Sequence, residues 1–174
     1  MPLTFELAHP DHAEALLAIR IAASKDLAER YRPGPRGSGG KLESIQRRLK
    51  EAQPDNLLRG TTYVVTDNDE CLGSLTLAIH HEDFWPQDCW QASDETALGV
   101  FGLSVDPVHQ RKGVGTLLMR ESERLTRERG YKWIRLDTYE RNTMSNAFYQ
   151  KLGYWQRAVV DLNGNSLVLY ELGL

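Results

Sequence analysis

Ala97-Leu98-Gly99-Val100-Phe101-Gly102-Leu103-Ser104-Val105, then Asp106-Pro107, then Gln110-Arg111-Lys112-Gly113-Val114-Gly115-Thr116, is the stretch that decides how this chain folds. Residues 97 to 105 are nearly all apolar, which predicts a strand buried on both faces. A helix follows from near Val114, with Leu117, Leu118 and Leu125 as its buried positions and Gly130 as its C-terminal stop. Between strand and helix, Gly113 and Gly115 lack the Cβ atoms that would keep a ligand off the backbone. Successive N–H groups can then converge on one anion, and the helix N-terminus adds about half a positive charge. This predicts a pyrophosphate cradle with Arg111 and Lys112 at its rim. It is not a P-loop, which needs G-x-x-x-x-G-K-[ST], nor the G-x-G-x-x-G of a dinucleotide fold.

Towards the N-terminus, residues 3 to 8 alternate like a strand, and Asp11 with Glu14 reads as a capping box opening a helix striped by Leu16, Ile19, Ala23 and Leu27. Prolines and glycines in residues 31 to 40 forbid regular structure. A second helix follows with Leu42, Ile45 and Leu49 on one face. TTYVV, a polar turn and CLGSLTLAI predict a hairpin, and residues 80 to 95 read as an inserted loop. Towards the C-terminus come a strand at 131 to 139, a helix at 144 to 152 closed by Gly153, and two strands joined by Asn163-Gly164-Asn165. This alternation predicts an α/β sandwich.

The 174 residues suffice for one domain with its own core, spanning 1–174. No apolar run approaches the ~20 residues needed to cross a bilayer, and the N-terminus lacks the basic start and apolar stretch of a signal peptide. A cytoplasmic protein without membrane partners is expected. The net charge of −3 offers no footprint for nucleic acid. Cys71 and Cys89 are read as reduced. His80 and His81 are adjacent and would point to opposite faces of a strand, so no metal site is expected.

Val105-Asp106-Pro107 followed by Gln110 to Gly115 resembles the V-x-P and Q/R-x-x-G-x-G/A signature of the GNAT superfamily of acyl-CoA-dependent N-acyltransferases. The family's second signature, N-x-x-A-x-x-h-Y-x-x-h-G-F (h apolar), is matched by Asn142, Phe148, Tyr149, Leu152 and Gly153, with Ser145 in place of alanine and Tyr154 in place of phenylalanine. The resemblance implies an α/β (α+β) fold: a central mixed, mostly antiparallel twisted sheet of about six to seven strands with about four helices on both faces. It implies acetyl-CoA as cosubstrate and direct attack by a primary amine in a ternary complex. It further implies that backbone groups of Leu103 and Val105 bind the pantetheine arm like an added strand. Gln110, Arg111, Lys112, Gly113, Val114, Gly115 and Thr116 would hold the pyrophosphate, and Asn142 the arm from its other side. Tyr149 would point at the sulfur and protonate the leaving thiolate. It lies about 100° around its helix from Phe148, so it need not share the core face of Met144, Phe148 and Leu152.

The strand 97 to 105 carries no carboxylate to deprotonate an ammonium acceptor. Glu95 is the first candidate base, followed by His80 and His81. Two loops frame the acceptor in the family. The one from His81 to Ala97 is acidic and aromatic, suiting a cationic amine through Trp85 or Trp90. The glycine-rich one carries Arg30, Arg32, Arg36 and Lys41 nearby, suiting an acidic group. The acceptor is expected to be a small-molecule amine; a peptide or protein amine and a non-catalytic acyl-CoA-binding module are the alternatives. Sheet-edge dimers are common in the family, which leaves a homodimer open.

Overall fold

β-branched and apolar segments assemble into one seven-stranded sheet of order β1-β2-β3-β4-β5-β7-β6. The strands are β1 (Thr4–Leu7), β2 (Thr61–Asp67), β3 (Glu70–Ala78), β4 (Ala97–Val105), β5 (Trp133–Tyr139), β6 (Trp155–Leu162) and β7 (Asn165–Gly173). Every neighbouring pair is antiparallel except β4 and β5. The helices are α1 (Ala13–Arg30), α2 (Leu42–Glu51), α3 (Val114–Glu128) and α4 (Thr143–Leu152). The computed structural model describes residues 3–31, 40–51, 57, 60–79 and 82–174. The mixed, mostly antiparallel sheet flanked by helices is the fold that the sequence predicts.

Strand alternation sorts the helices between the two faces. Val64 packs with Leu16, Ile19, Ile45 and Leu49 from α1 and α2. Its neighbours Tyr63 and Val65 join Leu118, Met119 and Tyr149 from α3 and α4. Each such aliphatic side chain, fully buried, contributes about 1.5–3 kcal/mol.

Two local readings need correction. The entry to α1 is not capped by Asp11 and Glu14. A 3₁₀ turn at Pro10–His12 precedes the helix, and the reciprocal contacts belong to His9 and His12, whose backbone N–H and Nδ1 lie 2.9 Å apart. The β2–β3 turn is where the sequence puts it, and Asn68 and Asp69 both take the left-handed conformation of a tight hairpin. The second correction concerns β4. Its first four residues are buried, but from Phe101 onward it is partly exposed. The apolar run reads as a strand covered on both faces, whereas its second half lacks a neighbouring strand on one side.

Candidate active site

β4 and β5 pair only at Ala97–Trp133, Leu98–Ile134 and Gly99–Arg135. Beyond that rung the strands part, and a bulge helps to turn β4 away: Ser74 pairs with Ser104 but Thr76 with Phe101, leaving an extra residue on β4. Gly102 sits in this bulge at φ +60°, a conformation that favours glycine. The fork opens into a cleft of about 750 Å³ walled by β4, β5, α1 and the start of α4. Leu103 and Val105 both line it. The N–H of Asp106 donates to Leu72 O at 2.9 Å, so ladder alternation directs the backbone groups of Leu103 and Val105 away from β3, into the fork.

At the mouth, α3 begins at Gly113, whose φ of +90° is left-handed and which supplies no capping side chain. The first N–H groups of α3 therefore have no side-chain partner from the helix cap and remain available to an anion. Arg111 also has positive φ, at 61°, a rare conformation for a residue with a Cβ. Gln110, Arg111, Gly113, Gly115 and Thr116 line the cleft. Lys112 is exposed and does not, and the side chain of Val114 is in the core.

Asn142 and Tyr149 both line the cleft from α4. Asn142 caps the helix: its Oδ1 accepts from Ser145 N at 3.1 Å, and its Nδ2 donates to Ser145 Oγ at 2.7 Å. The serine that replaces the family's alanine thus takes one of the two amide protons expected to face the pantetheine arm. Tyr149 is in the core, 5% exposed, against Tyr170 and Tyr154 at 5.7 and 5.9 Å. The face assignment of α4 is therefore corrected in part: Met144 is exposed and Tyr149 is in the core, while Phe148 and Leu152 pack against that core and Phe148 also borders the cleft beside Gly115. Burial, then the charge of Asp137 and the nearness of Tyr170, push the Tyr149 hydroxyl well above its usual pKa.

Glu95 does not line the cleft. It is exposed in a 3₁₀ turn before the closed end of the β4–β5 ladder. His80 and His81, the other candidate bases, lie outside the described residues, as do Arg32 and Arg36. The carboxylate in the cleft on the fork's other strand is Asp137 of β5. Burial pushes it up to about 6, against a hydrogen bond from Trp85 that lowers it, while Glu82 adds to the rise. Sequence reading passed over this residue. Its one signal was an aspartate interrupting a β-prone segment, Trp133-Ile134-Arg135-Leu136-Asp137-Thr138-Tyr139.

The acidic loop does not offer its indoles to a cation. Trp85 is stacked on Phe101 with centroids 5.7 Å apart, and the face of Trp90 is taken by the Arg135 guanidinium at 4.6 Å. Both indoles are buried. Across the cleft, α1 contributes Asp26 and Arg30, paired at 2.8 Å, and Tyr31 follows at its end. Cys71 and Cys89 are free thiols. Among the described residues no group of three or more His, Cys, Asp or Glu is placed to hold a metal, and no helix is long and apolar enough to cross a membrane.

Residues 24–154 match the sequence model of the acetyltransferase (GNAT) family. The chain is 46% identical over 52 residues to the uncharacterised protein YxbD of Bacillus subtilis (strain 168), a match covering 30% of this chain and 33% of that protein. An N-acetyltransferase of Staphylococcus aureus Mu50 has a similar fold, with a TM-score of 0.76 at 17% identity over 99% of both chains. So does the PaiA N-acetyltransferase of Thermoplasma acidophilum, solved in complex with coenzyme A, with a TM-score of 0.72 at 16% identity over 100% of both chains. At these identities the structures speak for the fold, and the match over 24–154 carries the assignment: the chain belongs to the acetyltransferase (GNAT) family.

Proposed function

We propose that the protein transfers the acetyl group of acetyl-CoA to the amine of a small molecule by direct attack, with Asp137 as general base and Tyr149 as general acid. The observation that carries this reading is the fork itself. One cleft joins an unpaired strand edge, a glycine cradle and two titratable groups whose surroundings suit opposite proton transfers. Leu103 and Val105 present backbone partners for an amide-bearing arm, and the uncapped start of α3 receives its pyrophosphate.

Asp137 at about 6 is ionised at neutral pH yet basic enough to relieve an ammonium of its proton, directly or through one water. The neutral amine then attacks the thioester carbonyl carbon; as the carbon–sulfur bond of the tetrahedral adduct breaks, Tyr149 gives its proton to the leaving thiolate and regains one, through water, from the nitrogen, so that amide, free thiol and neutral Tyr149 result. A raised pKa keeps Tyr149 protonated for that role. Asp137 and Tyr149 sit on separate elements, β5 and α4, and both reach the cleft.

Two contacts favour a small acceptor. Arg30 Nη1 lies 3.0 Å from Met144 Sδ, and Tyr31 Oη lies 3.4 Å from Thr143 Oγ1, so the end of α1 is joined to the start of α4 across one side of the cleft. A cleft bridged on one side suits a compact amine better than an extended peptide.

The test is to incubate the protein with acetyl-CoA and a panel of amino acids, polyamines, aminoglycosides and lysine peptides, and to identify products by mass spectrometry. Acetylation of a compact amine with intersecting initial-velocity lines is expected. Acetyl-CoA binding without any acetylated product would favour a binding module, and turnover confined to lysine peptides would favour a peptide acetyltransferase.

A further inference from the structure

The loop from Glu82 to Thr96 is tied to the fork at two successive levels. At the last rung, Arg135 is fully buried and donates to Glu171 Oε1 at 3.1 Å, to Asp94, and to the carbonyl of Ala92, while its guanidinium lies over Trp90. Glu171 stands opposite Arg135 in the β5–β7 register, and its second oxygen accepts from Gln91 N at 3.0 Å. The loop is therefore pinned to the sheet by both members of a buried ion pair.

Two residues further along each strand, where the ladder has ended, lie Phe101 on β4 and Asp137 on β5. Trp85 bridges them. Its ring stacks on Phe101 at an interplanar angle of 10°, and its Nε1 donates to Asp137 Oδ2 at 3.0 Å. The indole is 2% exposed. One side chain thus occupies the branch point of the fork and holds both strands.

From this geometry we infer that Trp85 is a positioning residue: anchored by the Arg135–Glu171 pair, it wedges the fork open and aims the Asp137 carboxylate at the acceptor. The inference rests on the reading of Asp137 as the base and goes beyond it. A wedge from a loop outside the cleft lining would set both the width of the fork and the strength of its base. The hydrogen bond favours the ionised carboxylate, opposing the effect of burial.

Other groups that face Asp137 are Glu82 on the same loop, Tyr139 on its own strand and Tyr149 from α4. Asp26 and Arg30 on α1 and Tyr31 just after it stand across the cleft. From β4 the neighbour is the uncharged Phe101, and from β7 the paired residue is Leu169. None of these groups is itself altered when Trp85 is replaced by phenylalanine, which keeps an aromatic ring for the stack and removes the N–H together with part of the indole.

The test uses the full chain labelled with ¹³C at aspartate carboxyls, with Asp137 identified by its absence from Asp137→Asn. In the wild type its carboxyl shift should titrate near the value of about 6. In Trp85→Phe the midpoint should rise by about one pH unit, the loss of one hydrogen bond to a charged acceptor. An unchanged midpoint overturns the inference. Should Trp85→Phe not fold, the ¹⁵N indole resonance of Trp85 in the wild type decides instead. It must titrate with the same midpoint and stop doing so in Asp137→Asn, and a flat indole titration overturns the inference. Thiol release by Asp137→Asn in the presence of an accepted amine is read separately. Undiminished release removes the base role and with it the positioning role, whatever the titration shows.

Discussion

Gly99 and Arg135 form the last rung between β4 and β5, and the side chain of Arg135 at that rung is fully enclosed with the carboxylate of Glu171. The point where the sheet opens is therefore also the point where it holds a buried charge pair. Opening a sheet exposes backbone groups that a ligand must later satisfy, and the buried pair locks the strands below the opening.

Replacing Arg135 by leucine should consequently cost more than the loss of one contact. Among the described residues Glu171 would keep Arg157, at 2.9 Å, and the N–H of Gln91. Breaking one side of a buried pair destabilises by about 3–5 kcal/mol. A large fall in the urea midpoint is expected, and an unchanged midpoint would show that the pair does not anchor the loop.

The two glycines of the cradle should respond differently. Gly113 needs its left-handed φ, so Gly113→Ala is strained by about 1–2 kcal/mol and pulls the start of α3 out of place. Acetyl-CoA affinity measured by calorimetry should drop about tenfold, the equivalent of 1.4 kcal/mol. At Gly115 an added Cβ would meet Phe148 at 3.5 Å, an ordinary contact, so Gly115→Ala should lose much less. Equal losses at both positions would contradict this account of the cradle.

Asp137 predicts a conflict between stability and activity. Its folded value of about 6 lies above the reference 3.8, so the folded state holds its proton more tightly than the unfolded chain. Its contribution to stability is present below pH 3.8 and is lost as pH rises through about 6. A shift of about two units corresponds to about 3 kcal/mol. Asp137→Asn should therefore be more stable than wild type at pH 8, by up to that amount, with the advantage vanishing near pH 4. Thermal unfolding of both proteins across this range checks the sign.

Tyr149→Phe removes a hydroxyl that no described residue hydrogen-bonds. Its stability should be unchanged or slightly higher, whereas kcat should fall by about a hundredfold with little change in KM. A matching loss of stability and kcat would make the residue a packing element instead.

What could be read from the sequence followed from local rules. The β4–cradle–α3 passage and the hairpins carry their own turn chemistry, so the order of elements and the cradle glycines were legible. Tertiary relations were not. The apolar run of β4 gives no sign that its second half loses a neighbour, because the partner that diverges is 36 residues away at the last rung, Gly99 to Arg135. Glu95 is adjacent to β4 in sequence, yet it sits at the closed end of the fork. Asp137 is far from β4 in sequence, yet it faces the open end. The indoles of the acidic loop looked like a surface for a cation because burial by Phe101 and Arg135 cannot be seen along the chain.

The most direct test of the account is thiol release from acetyl-CoA with an accepted amine, compared between wild type and Asp137→Asn as a function of pH. The account predicts that wild-type kcat/KM falls on the acid side with a midpoint near about 6, and that Asp137→Asn is slower by about a hundredfold or more at pH 7. An Asp137→Asn protein with wild-type rate and the same acid limb would contradict it.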